Sequence, residues 1–229
     1  MHIVLHQPEI PANTGNIGRT CVATGTSLHL IEPFGFRLNE KEIKRAGMDY
    51  WEKLDVTRYM NFDTFYEQYK EYARQHIGQE QWGVEQSAEQ RSSIVPEDRQ
   101  HVGQQSECEA ENRKPRLWMA TTKAKRAYTE VAFGPDDFIM FGKESAGIPE
   151  EILVEHEEDC IRIPMLPEIR SLNLSNAVAI VLYEALRQHD FESMQRAGEL
   201  HRLHSKEGSR HRCRYRYRDK HRYRHRYRY

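Results

Sequence analysis

Long apolar runs, paired cysteines and a signal-like start are all missing from this chain of 229 residues. The longest apolar stretch, Ala177–Tyr183, is about a third of the ~20 residues a membrane helix needs. The opening segment MHIVLHQPEI has neither a basic n-region nor a long apolar h-region, which argues against a secretory leader. The four cysteines, Cys21, Cys108, Cys160 and Cys213, form no CxxC pair, so neither a zinc site nor a disulfide framework is indicated. A soluble cytoplasmic protein without a metal is the expectation. Hydrophobic residues make up 38%, low enough that part of the chain is expected to lie outside the core.

The formal net charge of −1 hides a strong asymmetry. From Arg210 to Tyr229 there are nine Arg and one Lys against one Asp, so the remainder is distinctly acidic. Residues 1–76 and 116–190 have ordinary apolar periodicity and are expected to build one domain, 1–190. Between them Gln79–Pro115, rich in Gln, Glu, Ser and Gly, cannot bury enough apolar surface to offset its ordering entropy and reads as a disordered insertion. The tail, 191–229, ending in alternating Arg, Tyr and His, reads as low-complexity and unfolded.

Strand and helix patterns alternate along the folded part. Ile3–Leu5, Leu28–Ile31, Leu117–Ala120, Phe138–Phe141 and Cys160–Ile163 read as strands; Thr14–Thr24, Glu40–Ala46, Asp63–Tyr72, Pro149–His156 and Asn173–Gln188 read as helices. Asn13 or Thr14 offers an N-cap oxygen for the first helix, and Pro149 suits a first turn. Near-continuous apolar strands separated by helices indicate an α/β fold, a parallel sheet covered on both faces.

Three clusters follow strand ends, where ligands of open α/β sheets sit. The first is Asn13-Thr14-Gly15-Asn16-Ile17-Gly18-Arg19, whose glycines and free helix-start N–H groups suit an anion, with Arg19 placed to grip a phosphate. It is neither a P-loop nor a dinucleotide GxGxxG, and by itself it also fits an ordinary capped helix. The second, Phe141–Pro149, carries Gly142, Glu144 and Gly147; a plain glycine turn is the competing reading. The third runs from Ile161 through two prolines to Asn176. Its apolar loop suits an adenine edge, and Asn173, Ser175 and Asn176 in one helical turn are costly to helix propensity.

These segments, PEIPANTGNIGRTC, IEPFGF, KRAGMDYW, ATTK, FGKESAGIP and IRIPMLPEIRSLNLSNAVAIVLYEA, resemble the SPOUT superfamily of RNA 2′-O-methyltransferases, most closely its TrmL-type members acting on the tRNA wobble nucleotide. The likeness covers nearly all of 1–76 and 116–187. It implies a parallel α/β sheet with a C-terminal trefoil knot, S-adenosylmethionine as methyl donor, a homodimer, and tRNA nucleotide 34 (cytidine or carboxymethylaminomethyluridine) as target. Matched residue by residue, it implies donor contacts from Ala120, Gly142, Ile163, Leu166, Ser171 and Leu172. Arg19, Glu144, Asn173 and Ser175 would be the catalytic set. Asn13, Asn16, Arg19 and Tyr183 would meet the RNA, although for Tyr183 the dimer core and plain packing stay open. An insertion like Gln79–Pro115 is absent from the family's compact members, and the tail has no counterpart among them.

Because a guanidinium stays protonated, Arg19 is expected to clamp a phosphate and stabilise developing alkoxide charge, not to act as a base. Two other readings compete. One keeps the enzyme and moves the target to ribosomal RNA or another tRNA position. The other is a non-catalytic RNA-binding protein, whose cationic tail interleaved with Tyr would contact phosphates and stack on bases.

Overall fold

Period-two alternation of apolar side chains sets the sheet. In β1 (His2–His6), Ile3 and Leu5 face one way while His2, Val4 and His6 face the other. The same two-sided burial recurs in β2 (Ser27–Ile31), β4 (Leu117–Ala120) and β5 (Phe138–Phe141). β3 (Val56–Tyr59) and the two-residue β6 (Cys160–Ile161) close the edges. All pairings are parallel, in the order β3-β2-β1-β5-β4-β6. This computed structural model describes residues 1–36, 51–76 and 113–198. The expected helix Glu40–Ala46, nearly all of the insertion and most of the tail lie outside those residues. Met1–Met194 belong to one compact unit, and Gln195–Tyr229 to a second.

Helices cover both faces of the sheet, as expected. On one, α1 (Pro11–Thr24) and α4 (Leu174–Gln188) supply Ile17, Cys21, Val178, Val181, Leu182 and Ala185 to a core with Ile3, Leu5, Trp118 and Phe141. On the other, α2 (Phe62–Gln75) and α3 (Glu150–Glu155) place Phe65 and Leu153 against Val4, Met119, Phe138 and Met140. Both layers bury large apolar side chains completely, at about 1.5–3 kcal/mol each.

Several boundaries differ from the sequence reading. α1 begins at Pro11, three residues earlier than expected, because proline's fixed φ suits a first helical turn. Its N-cap is Ile10, with no side-chain cap, so neither Asn13 nor Thr14 caps it. α2 extends to Phe62–Gln75, capped by the Asn61 side chain, which accepts from Thr64 N at 2.8 Å. Pro149 is the N-cap of α3 and lies just outside it. Asn173 is the N-cap of α4 and not its first residue. β3 was absent from the sequence reading: only Tyr59 of its four residues is buried, and an edge strand shows little alternation.

The chain runs from β1 outward to β2 and β3, then returns to build β4, β5 and β6 on the far side of β1. The crevice between β1 and β5 is therefore the topological switch point, the usual ligand position in such sheets.

Candidate functional site at the switch point

The loop leaving β1 turns at Gln7 (φ 53) and enters α1 through Pro8, Glu9 and Ile10. The loop leaving β5 folds back on itself: Gly147 N donates to Lys143 O at 2.8 Å, and Gly147 sits at φ +74. A Cβ at Gly142 would lie 2.0 Å from the carbonyl carbon of Gly147, so only glycine permits this closure. The need for glycine thus arises within the loop.

That closed loop presents Glu144 to the start of α1. Its carboxylate accepts from Glu9 N at 2.8 Å, Ile10 N at 3.2 Å and Asn13 Nδ2 at 2.9 Å. The expectation of free N–H groups at Asn13 and Thr14 is corrected, because both donate to Ile10 O, at 3.1 and 3.3 Å. A carboxylate 134 residues away along the chain already holds the N–H of Ile10. In return, the Glu9 carboxylate accepts from Ser145 N at 2.9 Å and Ser145 Oγ at 2.8 Å. Those hydrogen bonds, side chain first, hold the Glu9 carboxyl below the usual carboxylate range.

The relay continues into the third motif. A carboxylate can only accept, so Asn13 must turn its NH₂ toward Glu144 and its Oδ1 away. That Oδ1 accepts from Asn173 Nδ2 at 2.9 Å. Asn173 Oδ1 is then left to cap α4, accepting from Ser175 Oγ at 2.7 Å, Ser175 N at 3.0 Å and Asn176 N at 3.4 Å. One carboxylate thus fixes the direction of both amides in the line. The three motifs meet at one point, with Glu144, Asn13, Asn173 and Ser175 in direct succession.

The other expected site residues fall into two groups. Ala120, at the end of β4, is only partly buried although the three residues before it are buried. Ile163 follows the β6 ladder, where Thr121 N donates to Ile161 O and Tyr128 N to Arg162 O, each at 2.9 Å. The loop beyond it carries Leu166, Ile169 and Leu172 with 70%, 50% and 37% of their surface exposed, and Ser171 lies exposed among them. Ser171 caps nothing in α4; Asn173 does.

On α1, Asn16 and Arg19 lie on the exposed side. Arg19 is two turns beyond Pro11, not one turn into the helix, because the helix starts earlier than expected. Asn13 is 5% exposed with both ends of its amide engaged inside the chain, which makes it a link between motifs, with no free surface for RNA. Tyr183 is 44% exposed on α4, one turn from the similarly exposed Ile180. Sequence reasoning missed Glu9 and Ser145. The only signal was their presence in the two quoted motifs. Among the described residues, no group of three or more His, Cys, Asp or Glu is arranged to hold a metal ion.

Known proteins resemble this chain in sequence and in fold. The model of the SpoU rRNA Methylase family matches residues 1–92 and 84–183. A tRNA (cytidine(34)-2'-O)-methyltransferase of Aeromonas hydrophila is 40% identical over 189 residues, 82% of this chain and 94% of the relative. A solved structure concerned with the 2-OH methylation of C/U34 on tRNA aligns at 33% identity and a TM-score of 0.59, covering 82% of this chain and 95% of that one. The SpoU methyltransferase AviRb from Streptomyces viridochromogenes, solved with AdoMet, shares the fold. Its TM-score is 0.59 at 19% identity, over 85% of this chain and 59% of that one.

Proposed function

The chain belongs to the SpoU rRNA methylase family, and on that premise we propose that it methylates the ribose 2′-OH of nucleotide 34 of tRNA. The observation that carries this reading is the Glu144–Asn13–Asn173 relay. It gathers the three motifs at the sheet's switch point, in a chain 40% identical to an enzyme of that activity.

S-adenosylmethionine is the methyl donor in this reading, and the residues present fit it. Ala120 and Ile163 lie partly buried at the C-terminal ends of β4 and β6, and the loop that follows β6 carries the exposed Leu166 and Leu172. Apolar walls with backbone polar groups between them suit an adenine ring. Gly142 and Ser171 belong to the same donor set. When bound, the donor supplies an electrophilic methyl group on a sulfonium.

The chain's own residues prepare the acceptor. Arg19 clamps the phosphate beside the target nucleotide and stabilises the charge that grows on the 2′-oxygen as its proton passes to that phosphate. Glu144 is occupied by three donors, so its part is to hold the start of α1 and not to take the ribose proton. Asn173 and Ser175 fix the start of α4 against the same point. Asn16 and Tyr183 meet the RNA from the exposed sides of α1 and α4.

We also propose the family's trefoil knot for the stretch after β6. Its support is the path of the chain. Arg162 is hydrogen-bonded to Arg126 and Tyr128 at one edge of the sheet, and eleven residues later Asn173 reaches Asn13 beside β1. The exposed Ile180 and Tyr183 support a homodimer that covers this part of α4. A domain of 1–190, a tail from 191 and a cytoplasmic site of action complete the proposal. No helix among the described residues is long and apolar enough to cross a membrane.

The test is methyl transfer from labelled S-adenosylmethionine to unmodified tRNA, with the product nucleotide mapped. Label on the ribose of nucleotide 34 is expected. Label only in ribosomal RNA or at another tRNA position refutes the assignment of target, and no label in any RNA refutes the activity.

A further inference from the structure

We infer that Glu9 is a positioning residue for methyl transfer, acting through Ser145 to hold the β5 loop in register with the start of α1. The inference rests on the methyltransferase reading above and assigns a function to a residue that reading leaves without one.

The two loops exchange carboxylates. Glu144 takes the consecutive backbone N–H groups of Glu9 and Ile10, while Glu9 takes both the N–H and the Oγ–H of Ser145. Adjacent residues on each loop are therefore tied to adjacent residues on the other. A single contact would leave a hinge, whereas this reciprocal pair fixes translation and rotation together.

The backbone of Glu9 is braced from a third side. A Cβ at Gly35 would lie 2.7 Å from Glu9 Cα and 2.9 Å from Glu9 O, and Gly35 N donates to Pro8 O at 3.0 Å. The turn that carries the IEPFGF motif thus presses on Glu9, and Pro8 and Pro11 restrict φ on either side of it. With its backbone wedged, the side chain has a defined direction toward Ser145.

Two carboxylates on adjacent loops would repel if left bare. Each instead accepts two hydrogen bonds from the other loop, and the charge of Lys143 also favours the ionised form of Glu9. Loosening the clasp frees the first turn of α1, and Arg19 rides on that helix. Gly142, the donor residue on the clasped loop, is held by that loop's own closure on Gly147, and the apolar loop from Ile163 to Leu172 receives no hydrogen bond from Glu9 or Ser145 in the clasp. The expected signature is therefore a loss in the transfer step with donor binding preserved, because a misplacement of about 1 Å can cost ~100-fold in rate.

The test uses the full chain with tRNA and S-adenosylmethionine, comparing Glu9→Ala, Glu9→Gln, Ser145→Ala and the double variant Glu9→Ala/Ser145→Ala. In Glu9→Ala, kcat should fall at least ~10-fold with KM for the donor within about twofold. Glu9→Gln, which keeps the length and one acceptor oxygen, should recover part of the loss. The double variant should be no worse than Glu9→Ala, since Glu9→Ala already removes the Oγ contact that Ser145→Ala removes. Amide hydrogen exchange of peptides 7–19 and 142–149 should quicken in Glu9→Ala, while 163–173 stays unchanged. Unchanged kcat overturns the inference. So does a joint fall of kcat, donor affinity and exchange protection throughout, which marks general destabilisation. If the wild type transfers no methyl group to RNA, the underlying reading fails, and the exchange measurement alone then decides the clasp: no quickening at 142–149 overturns it.

Discussion

Acid should unfold this protein through two paired histidines, the half-buried His2 and the buried His29, on the sheet face covered by α2. His2 Nδ1 and His29 Nε2 are 3.1 Å apart; Tyr72 Oη lies 3.2 Å from His2 Nε2, and Tyr59 Oη 2.8 Å from His29 Nδ1. His2 also stacks on Phe138, with ring centroids 4.1 Å apart. A proton on both rings would set two N–H groups against each other at 3.1 Å, so the line accommodates at most one. Burial, reinforced by neighbouring positive charge, pushes His2 down to about 3. Burial likewise pushes His29 down to about 4. Both lie far below the ordinary value of about 6.5.

The sign follows from proton counting. Between pH 6.5 and the folded-state values, the unfolded chain binds protons that the folded chain refuses, so stability is complete above about pH 6.5 and falls as pH drops toward 4. At pH 5 each ring forfeits about 2 kcal/mol, and the pair about 4 kcal/mol. That is a large share of the 5–15 kcal/mol typical of a domain. The assay is urea denaturation at pH 8, 7, 6 and 5, followed by circular dichroism, for the wild type and for His29→Phe. The variant loses hydrogen bonds and is expected to be less stable at pH 8. Its fall between pH 8 and pH 5 should nevertheless be about 2 kcal/mol smaller than that of the wild type. Equal falls in both proteins would refute the reasoning.

Asp137→Ala should destabilise by about 3–5 kcal/mol in the same assay at pH 8. It strips partners from Arg113, the Arg116 and Gly134 N–H groups and Trp118 Nε1 around a carboxylate that is 1% exposed. Gly142→Ala should cost at least about 4 kcal/mol or prevent soluble expression, because the added carbon meets backbone that cannot swing aside. Arg19→Ala should leave S-adenosylmethionine affinity within about twofold by calorimetry while methyl transfer falls ~100-fold or more; unchanged turnover removes its assigned role. Deleting 210–229 should weaken tRNA binding at low salt and leave donor binding unchanged, as filter binding across a salt series would read.

The strands Leu117–Ala120 and Phe138–Phe141 were legible to the residue, because a strand buried on both faces carries its own pattern in a continuous apolar run. The alternation of strands with helices dictated a parallel sheet covered on both sides, and the wording of the three motifs identified the family. β3 stayed hidden because an edge strand half in water has little hydrophobic pattern to show. The start of α1 was misplaced because capping rules look for a side-chain oxygen, whereas this helix opens on Pro11 behind Ile10 with no side-chain cap.

Local chemistry thus determined what each segment prefers, since propensity and burial patterns act over a few residues. Only the tertiary structure decided that Asn13 is buried as a link between motifs, that the amides of Asn13 and Asn173 point in one direction, and that Glu9 and Glu144 hold each other's loops. Those facts depend on hydrogen bonds between residues more than 130 positions apart, and no short-range rule couples them. The sheet order does, by bringing the ends of β1 and β5 side by side.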